Sequence, residues 1–542
     1  MILEIAVDVP VIVAGGGPVG LATAFELQAR GVDVLLVERN PSTTRHPKMD
    51  VTNGRSMEIF RRLGIAEAIR DVAVSRSNPM DVVWVTRLAE WELARFHYPN
   101  VDEVRALIKE RNDGSQPLEP NMRLSQVVLE PKLKEFLEKC PRVEMRFGWA
   151  FEGFEEDDEA VTVKLREVAS DKIEYKRCAL LAGCDGGGSL TREQLGFSWQ
   201  GNLNVARFYM VHFHSDATDL LQNFGIAWHY QSPLGSTLIA QDDKQIWTIH
   251  CILPEDVDAS SIEPERLVFE ALGREFPIEV IQANPWSAHL VCANGYGHGR
   301  VWMAGDSVHQ VIPTGGYGMN TGMGDAADLA WKYAAVLEGW GGPKLLTSID
   351  TERRPVGERI IEASGTHMRT RLRIAEAYNP MIHEDSVEGA QARANYGKLI
   401  QDLGNLENEA HGIELGYRYR SSPIICHEDD EPQWQVRSYV PSTWPGVRAP
   451  HVFLESGTAI FDLFGPWFTL IRFTDASPEP LLHAASERNV PLTLLDIKEQ
   501  HVRGIYERDF VLIRPDQHVA WRGNTMPEDP FAVIDRIRGA TE

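Results

Sequence analysis

The order of apolar runs along the chain predicts an α/β protein that opens with a strand, a helix and a second strand. Val11-Ile12-Val13 form a short β-branched run, and the stretch 21–29 that follows is apolar over a helical length. A second apolar run, 32–37, ends at Glu38. We therefore expect a parallel βαβ unit at the start of the chain.

Two further units are predicted downstream. Short apolar runs separated by turn residues fill residues 200–290, which predicts an antiparallel sheet, and residues 79–111 are strand-like as well. A strand at 300–304 returns the chain to the first unit, and a helix is expected from about Gly324. Residues 356–435 are expected to be mostly helical and then irregular. Strands and helices alternate again from residue 468, which predicts a separate α/β tail.

The composition is that of a globular protein with two or three domains. A chain of 542 residues is too long for one hydrophobic core, and 43% of it is hydrophobic and 24% charged. The net charge of −24 argues against nucleic acid and an anionic membrane as partners. Residues 9–25 are uncharged, but their glycines and prolines disfavour a membrane span or signal peptide. No cysteine, histidine or carboxylate group has metal-ligand or CxxC spacing, so we expect a cytoplasmic protein with reduced thiols and no metal.

A glycine-rich turn follows the first predicted strand. Gly15, Gly17 and Gly20 have the G-x-G-x-x-G spacing, with Pro18 between them. In this motif the glycines allow a tight turn and a close approach to a pyrophosphate, which the helix N-terminus then faces. Glu38 lies 18 residues after Gly20, where an acid can accept hydrogen bonds from a ribose. The turn therefore predicts a dinucleotide site.

Two later segments also have the character of nucleotide-contacting turns. Asp185-Gly186 follows the apolar run 179–182, and Gly305-Asp306 closes the predicted strand 300–304. A carboxylate at such a strand end can accept a hydrogen bond from a ribose or ribityl hydroxyl. The stretch 313–320 then offers backbone N–H groups beside a helix start, which suits ring carbonyls and anionic charge. We call residues 15–20, 184–188 and 305–320 the first, second and third cofactor segments.

These three segments, in this order, resemble those of the FAD-dependent aromatic hydroxylases, single-component flavoprotein monooxygenases such as para-hydroxybenzoate hydroxylase and phenol hydroxylase. The resemblance implies noncovalent FAD as the cofactor and NADH or NADPH as a transient electron donor. It further implies that O2 forms a flavin C4a-hydroperoxide, whose distal oxygen is transferred to an electron-rich ring carbon. We therefore expect an enzyme that hydroxylates a phenolic aromatic substrate, with a small phenolic or polycyclic aromatic compound as its binding partner.

Motif and resemblance together assign a set of cofactor contacts. Lys48 stands where many family members carry arginine, which keeps a cation for phosphate but loses the bidentate fork. Arg55, near a helix start, and Gln126, expected along the ribityl chain, match flavin-contacting positions of the family. The expected cofactor contacts are Gly15, Gly17, Pro18, Gly20, Glu38, Arg39, Lys48, Arg55, Gln126, Asp185, Gly186, Gly305, Asp306, Pro313, Gly316, Gly318, Met319 and Asn320.

The resemblance also implies a domain division. The expected limits are 1–78, 112–199 and 291–375 for a Rossmann-like FAD-binding domain, 79–111 and 200–290 for an antiparallel-sheet substrate-binding domain, 376–437 for a helical or irregular connector, and 438–542 for a C-terminal domain.

The C-terminal domain resembles the thioredoxin-like domain of the larger family members. The resemblance lies in Pro445–His451 and Leu512–Asp516, and the domain has no redox cysteine pair. Its own alternation of strands and helices predicts a self-contained core that FAD binding does not require. A structural role or a homodimer contact is the expected function.

Asp50 is the first candidate for a catalytic base. A phenolate attacks oxygen better than a phenol does, so a base near the substrate oxygen would be useful. Asp50 lies five residues before Arg55, the spacing that phenol hydroxylase shows for its aspartate. The alternative, a loop carboxylate exposed to water, stays open. His229 and Tyr230 are the other catalytic candidates. Further candidates for the substrate pocket, each more often a core or sheet residue, are Trp228, His212 and Tyr317.

Two other functions stay open on the sequence alone. The same cofactor scaffold would serve epoxidation or Baeyer–Villiger insertion on a polycyclic substrate, because the cofactor carries the difficult chemistry. A flavin-binding sensor without turnover would also keep the three cofactor segments. Substrate-stimulated oxidation of NAD(P)H separates an enzyme from a sensor, and the product separates hydroxylation from insertion.

Overall fold

The structure, a computed structural model, describes residues 7–541; residues 1–6 and 542 of the expected first and last domains lie outside the described residues. The strands are β1 Val9–Ala14, β2 Val34–Glu38, β3 Val51–Thr52, β4 Val82–Val85, β5 Glu92–Phe96, β6 Met122–Arg123, β7 Val143–Phe147, β8 Trp149–Glu156, β9 Val161–Glu167, β10 Ile173–Gly183, β11 Trp199–His214, β12 His229–Gln231, β13 Ser236–Ala240, β14 Ile246–Ile252, β15 Glu279–Ala293, β16 Gly297–His298, β17 Val301–Met303, β18 His309–Gln310, β19 Phe468–Arg472, β20 Leu492–Asp496, β21 Phe510–Ile513 and β22 Val519–Gly523. The α-helices are α1 Pro18–Gln28, α2 Gly54–Arg62, α3 Ala66–Arg70, α4 Val101–Arg111, α5 Gln126–Leu137, α6 Leu190–Gln194, α7 Thr218–Leu221, α8 Pro264–Leu272, α9 Tyr317–Leu337, α10 Lys344–Glu376, α11 Val387–Leu403, α12 His411–Glu414, α13 Glu479–Glu487, α14 Gln500–Tyr506 and α15 Pro530–Ile537.

The first sheet confirms the predicted βαβ opening. Its central strand order is β16-β17-β10-β1-β2-β7, and β1 is parallel to both β2 and β10. Val11 and Val13 pack with α1 and α9, whereas Ile12 packs on the other side with β9. Strands covered on both faces are apolar throughout, which explains the continuous run in the sequence. The sheet is Rossmann-like, as expected.

The second sheet confirms the inserted antiparallel sheet. Its strand order is β18-β15-β11-β14-β13-β12-β4-β5. Neighbours are antiparallel except β12 and β4, which run parallel because β4 comes from the distant segment 79–111 and not from a hairpin. One face of the sheet is apolar: Phe213, Trp247 and Ile249 pack there with Val268 of α8. The other face is therefore left for polar residues.

Two helices differ from the sequence predictions. Residues 79–111 were expected to be strand-like, but they end in helix α4. A reciprocal cap stabilises the start of this helix. The Asn100 side chain accepts a hydrogen bond from the backbone N–H of Glu103 (2.9 Å), and the Glu103 carboxylate accepts one from the backbone N–H of Asn100 (2.9 Å). The helix expected from about Gly324 begins at Tyr317. Its glycines disfavour a helix locally, but a Cβ at Gly322 would lie only 2.5 Å from Val19, so close packing on α1 requires them.

The C-terminal domain has the expected thioredoxin-like topology. Its strand order is β20-β19-β21-β22, with β19 parallel to β20 and antiparallel to β21. Leu470 and Leu512 face α13 and α15, whereas Ile471 and Val511 face α14. The domain limits themselves stay predictions.

A buried ion-pair cluster joins this domain to the helices of the first sheet. Arg514, after β21, donates to Glu352 of α10 (2.6 and 2.8 Å) and to Asp328 of α9 (3.1 Å). Lys332 of α9 donates to the same two carboxylates, and all four side chains are fully buried. Burial alone raises the pKa of Glu352, but Arg514 and Lys332 lower it to about 2, so the carboxylate stays charged.

A second set of contacts joins the C-terminal domain to α2. Arg448 forms a buried ion pair with Glu58, and Arg55 donates to the backbone oxygen of Asp516 (2.6 Å) and to the side chain of Gln517. Removing the domain would leave the buried carboxylates of both sets without their arginines. Trp331 of α9 and Leu345 of α10 also pack in the hydrophobic core of this domain, so the core is not self-contained; that FAD binding does not require the domain stays a prediction.

Replacing Arg514 by alanine is expected to destabilise the protein by about 3–5 kcal/mol, because it leaves Glu352 and Asp328 buried with one cation fewer. Urea-induced unfolding measures the loss. The matched control is Arg472→Ala, which breaks the partly exposed pair with Asp496 inside the same domain and should cost less than about 1 kcal/mol. Equal losses in the two variants would contradict the bracing role of Arg514.

Candidate active site

The three cofactor segments begin side by side at one edge of the first sheet. Ala14 of β1 pairs with Gly183 of β10, and Gly183 pairs with Met303 of β17. Because these strands are parallel, they end together and deliver the turn after Ala14, Asp185 and Gly305 to the same place. Ligands of open α/β sheets bind at such carboxyl ends.

The first segment requires glycine at two positions and leaves a third open. Gly15 has a φ of +108°, and a Cβ there would lie 2.1 Å from the carbonyl oxygen of Cys184. A Cβ at Gly20 would lie 2.0 Å from the carbonyl oxygen of Gly15. Around Gly17, by contrast, no atom of the described chain lies within 4 Å of the Cβ position. The backbone of Gly17 is thus open to a ligand, which fits a bound pyrophosphate.

Helix α1 presents its N-terminus to the same space. Gly17 is the N-cap residue, it supplies no side-chain hydrogen bond, and Pro18 occupies the first turn. No acidic residue lies in that turn. The positive end of the helix is therefore available to an anion. These features fit the diphosphate of a dinucleotide.

Glu38 is held beside this turn. Its Oε2 accepts a hydrogen bond from the backbone N–H of Gly16 (2.8 Å), and its Oε1 accepts from the backbone and the side chain of Asn40 (2.9 and 2.6 Å). A carboxylate has about four acceptor positions, so ribose hydroxyls can still bind. Arg39 and Lys48 are exposed, and their side chains form no hydrogen bond with other described residues.

The second segment uses its acid differently from the prediction. Oδ1 of Asp185 accepts a hydrogen bond from Ser189 (2.5 Å), and Oδ2 accepts two from Thr191 (2.9 and 3.0 Å). The carboxylate thus anchors the start of α6. Gly186 has a φ of +78° and open space around it. A cofactor contact in this segment is better supplied by backbone than by the Asp185 carboxylate.

The third segment places an unpartnered acid next to a helix start. Asp306 is exposed, and its carboxylate forms no hydrogen bond with the other described residues. Gly305 has a φ of +69°, and a Cβ there would lie 2.9 Å from Val19 of α1. After the turn at Pro313, Gly316 caps α9 with a φ of +64°. The N–H groups of α9 therefore begin within the segment, beside Gly318 and Met319.

Asn320 ties the third segment to the loop before α2. Its Oδ1 accepts hydrogen bonds from the backbone of Asn53 (2.9 Å) and the hydroxyl of Ser56 (2.7 Å). Its Nδ2 donates to the carbonyl oxygens of Val51 (3.1 Å) and Gly316 (2.7 Å). The side chain is fully used within the protein, so only its backbone can meet a ligand, as the resemblance implies.

Two expected cofactor contacts have other partners. The Arg55 guanidinium is buried against Glu58, Gln517 and the Asp516 backbone, which turns it toward the C-terminal domain. The amide of Gln126 donates to Glu130 (2.6 Å). Both side chains are thus held by partners within the protein, and their flavin contacts stay predictions.

Asp50, Trp228 and His229 come together on the second sheet. Oδ2 of Asp50 accepts hydrogen bonds from Nε1 of Trp228 (2.5 Å) and from Nε2 of His229 (3.1 Å). Burial raises the pKa of the Asp50 carboxyl, but the hydrogen bond and charge of His229, with Trp228 and Arg123, outweigh it and hold the pKa below its ordinary value. Asp50 is therefore an ionised hydrogen-bond acceptor at neutral pH, and its bonding argues against a simple water-exposed loop carboxylate.

Tyr230 does not join this group. Successive residues of a strand point to opposite faces, so Tyr230 points away from His229. Its hydroxyl donates to the carbonyl oxygen of Gly225, and its ring packs in the apolar core of the sheet. The catalytic assignment of Tyr230 is corrected to a core role.

The side of the second sheet that bears His229 is lined by polar residues. Residues paired across neighbouring strands share a face of the sheet. One row of paired residues is His229, Ile239, Thr248 and His212. A second row is Gln231, Thr237 and His250. The loop 40–50 lies against this side, since Asn284 of β15 is 3.2 Å from His46. We call this the polar face; its members are His212, His229, Gln231, Thr237, Thr248, His250 and Asn284.

Sequence reasoning missed three residues of this side: His250, Asn284 and Trp286. The alternation of polar with apolar residues in 246–252 held the signal for His250, because Trp247, Ile249 and Cys251 are buried. Asn284 and Trp286 lie on β15, a strand that was not predicted. Of the other pocket candidates, Tyr317 is buried and hydrogen-bonded to His367 (2.9 Å).

Comparisons with known proteins agree with this geometry. A family model described as "FAD binding domain" matches residues 8–364, and one described as "Aromatic-ring hydroxylase, C-terminal" matches residues 442–540. The FAD-dependent monooxygenase apdD of Emericella nidulans is 38% identical over 97% of this chain and 89% of its own. The 4-methyl-5-nitrocatechol 5-monooxygenase of a Burkholderia species is 28% identical over 98% and 97%. The solved structure of the rebeccamycin biosynthetic enzyme RebC with reduced flavin superposes with a TM-score of 0.89 at 33% identity, covering 98% of this chain and 99% of RebC.

Between residues 7 and 541, none of the helices combines the length and apolar character needed to cross a membrane.

Replacing Gly17 by alanine is expected to leave the protein folded but to weaken FAD binding about tenfold, or about 1.4 kcal/mol, because the new methyl group enters the space open to the pyrophosphate. The ratio of flavin to protein absorbance after gel filtration measures retention. Gly504→Ala in α14 is the control, since its Cβ position is equally open but lies in the C-terminal domain. The same flavin content in both variants would argue against this pyrophosphate site.

Proposed function

This chain belongs to the FAD-dependent aromatic-ring hydroxylases, and from that premise we propose that it uses NADH or NADPH and O2 to hydroxylate a phenolic or polycyclic aromatic substrate. The observation that carries the proposal is the position of Asp50. Asp50 bonds to the polar face through His229, and it directly precedes Val51, whose carbonyl accepts a hydrogen bond from Asn320 of the third cofactor segment. A substrate on the polar face would therefore adjoin the cofactor.

The residues present fit FAD. The first segment would hold the diphosphate through Gly15, Gly17 and the N-terminus of α1, and Glu38 would bind the adenosine ribose. Asp306 offers an unpartnered carboxylate to a ribityl hydroxyl. Backbone groups from Gly316 to Asn320 would lie along the ring. When bound, FAD would take electrons from NAD(P)H and activate O2.

Asp50 would accept the hydrogen bond of a substrate hydroxyl through Oδ1. Both of its protein hydrogen bonds go to Oδ2, and Oδ1 has no hydrogen-bond partner among the described residues. Because the carboxylate is ionised and weakly basic, it polarises the hydroxyl more than it removes the proton. Electron density rises on the ring carbons ortho and para to that oxygen, which favours their oxygenation.

Trp228 and His229 are positioning residues for Asp50. The indole N–H of Trp228 can only donate, and an ionised Asp50 can only accept, so Nε2 of His229 carries a proton and donates to the same oxygen. Because two donors hold Oδ2, the carboxylate cannot rotate freely, and Oδ1 keeps one orientation. Both side chains are mostly buried, so the arrangement is rigid.

A screen of NADH and NADPH oxidation across a panel of phenols tests the proposed reaction. In the expected reaction one oxygen atom of O2 enters the ring, the other leaves as water, and NAD(P)H supplies two electrons. Substrate-stimulated oxidation and a product 16 mass units heavier, with a new ring hydroxyl, support hydroxylation. A lactone or epoxide product would instead support the insertion or epoxidation chemistry of the same scaffold.

Asp50→Asn is expected to lower the hydroxylation rate about ten- to a hundredfold near neutral pH, the effect of losing a hydrogen bond to a charged acceptor, while FAD stays bound. Asparagine keeps the shape but removes the negative acceptor. The loss should shrink as the pH approaches about 10, where a phenol ionises unaided. Rates and peroxide release across pH measure this, and peroxide should rise as coupling falls.

Asp216→Asn is the matched control, because Asp216 is an exposed carboxylate of the same sheet region whose side chain has no hydrogen bond with other described residues. It should behave as the parent at every pH. If Asp50→Asn also hydroxylates at the parent rate near neutral pH, the role of Asp50 is disproved and His229 becomes the candidate.

A further inference from the structure

His250 lies on the polar face and, unlike Asp50, can donate a hydrogen bond. Its Nδ1 is 3.2 Å from the indole Nε1 of Trp286, and the two rings meet edge to face with centroids 5.5 Å apart. Trp286 is itself stacked on Phe208 with centroids 4.6 Å apart. The indole that contacts His250 is therefore held in place by a second aromatic ring.

This contact fixes the tautomer of His250. An indole N–H is only a donor, so Nδ1 must be the acceptor and carries no proton. The single proton of a neutral imidazole then sits on Nε2. Burial lowers the pKa of His250 to about 4, which keeps the ring neutral at physiological pH. His250 is thus a fixed donor through Nε2.

The Nε2–H of His250 has no hydrogen-bond partner among residues 7–541. No described residue is hydrogen-bonded to it, and the side chain is half-buried on the side of the sheet that bears His229. His212 is its diagonal neighbour on β11, about 7–8 Å away. Its Nδ1 lies 2.9 Å from the hydroxyl oxygen of Thr248 and 3.1 Å from the carbonyl oxygen of Trp247, so Nδ1 is engaged within the sheet. His250 therefore gives the polar face an oriented donor whose hydrogen bond is unused among the described residues.

We propose that His250 is a specificity-determining residue whose Nε2–H, oriented by Trp286, binds an acceptor oxygen on the substrate. Asp50 accepts from one substrate hydroxyl, and His250 donates to a second oxygen that is a ketone, quinone or ether. The preferred substrate class is accordingly a phenol that also carries such an acceptor on the same or a fused ring. This inference rests on the proposed function for the site itself but concerns binding, so binding alone can test it.

The test uses the FAD-loaded full chain without NAD(P)H, so that no turnover is needed. Two probes of similar shape are 3-hydroxyacetophenone, which has a ketone oxygen, and 3-isopropylphenol, which has a methyl group in its place. Perturbation of the visible flavin spectrum gives the Kd of each. The parent should bind the ketone about three- to tenfold more tightly, the effect of one neutral hydrogen bond.

Three variants separate a specific role from a structural one. His250→Phe removes the donor and should abolish the preference for the ketone without weakening 3-isopropylphenol. His250→Gln keeps an N–H donor and should retain part of the preference. Trp286→Phe keeps a ring but removes the N–H that fixes the tautomer, and should reduce the preference. His289→Gln, on the opposite side of β15 and bonded through Nδ1 to the backbone of Asn204, is the control and should match the parent.

Equal affinity of the parent for the two probes, or no binding of the ketone, would overturn the inference. So would a preference that survives in His250→Phe. Each of these results leaves the proposed hydroxylation standing if the phenol screen shows turnover. Failure of that screen together with selective ketone binding would instead overturn the proposed reaction and keep the role of His250.

Discussion

Ala14, Gly183 and Met303 lie side by side at the carboxyl edge of the first sheet, and this register decides where every later part of the site must be. Because β1, β10 and β17 are parallel and end together, residues almost 300 positions apart in the chain form one surface. At Gly15 and Gly20 a backbone oxygen lies about 2 Å from the place where a Cβ would be. Any residue other than glycine would clash with that oxygen. Between these two crowded positions, the space beside Gly17 stays open.

The helices that approach this edge are held by buried polar contacts. Asn320 links the start of α9 to the loop before α2. Two arginines of the C-terminal domain form buried ion pairs with these helices: Arg448 with Glu58 of α2, and Arg514 with Asp328 of α9. A buried ion pair adds little net stability over an apolar contact, but it is costly to break and it fixes geometry. The C-terminal domain thus contacts two helices, α2 and α9, that border the cofactor segments.

Much of this organisation could be predicted from sequence because it depends on local patterns. The G-x-G-x-x-G turn, the alternation of strands and helices and the acid at Glu38 are properties of neighbouring residues. The bonding of Asp185 to Ser189 and Thr191, and of Arg55 to Gln517, depends on side-chain direction after the chain has folded. Tyr230 was misassigned, although it follows His229 in β12 and neighbouring strand residues point to opposite faces of a sheet. β15 was missed, and with it Trp286, the residue that fixes the tautomer of His250.

The central claim is that the polar face holds the substrate beside the cofactor with its hydroxyl on Asp50. A crystal structure of the FAD-loaded protein with a phenolic ligand bound tests this most directly. We expect the ligand hydroxyl oxygen to lie within hydrogen-bond distance of Oδ1 of Asp50, about 2.5–2.7 Å for an O–H donor to a carboxylate. A ligand bound elsewhere, or one whose hydroxyl points away from Asp50, would contradict it.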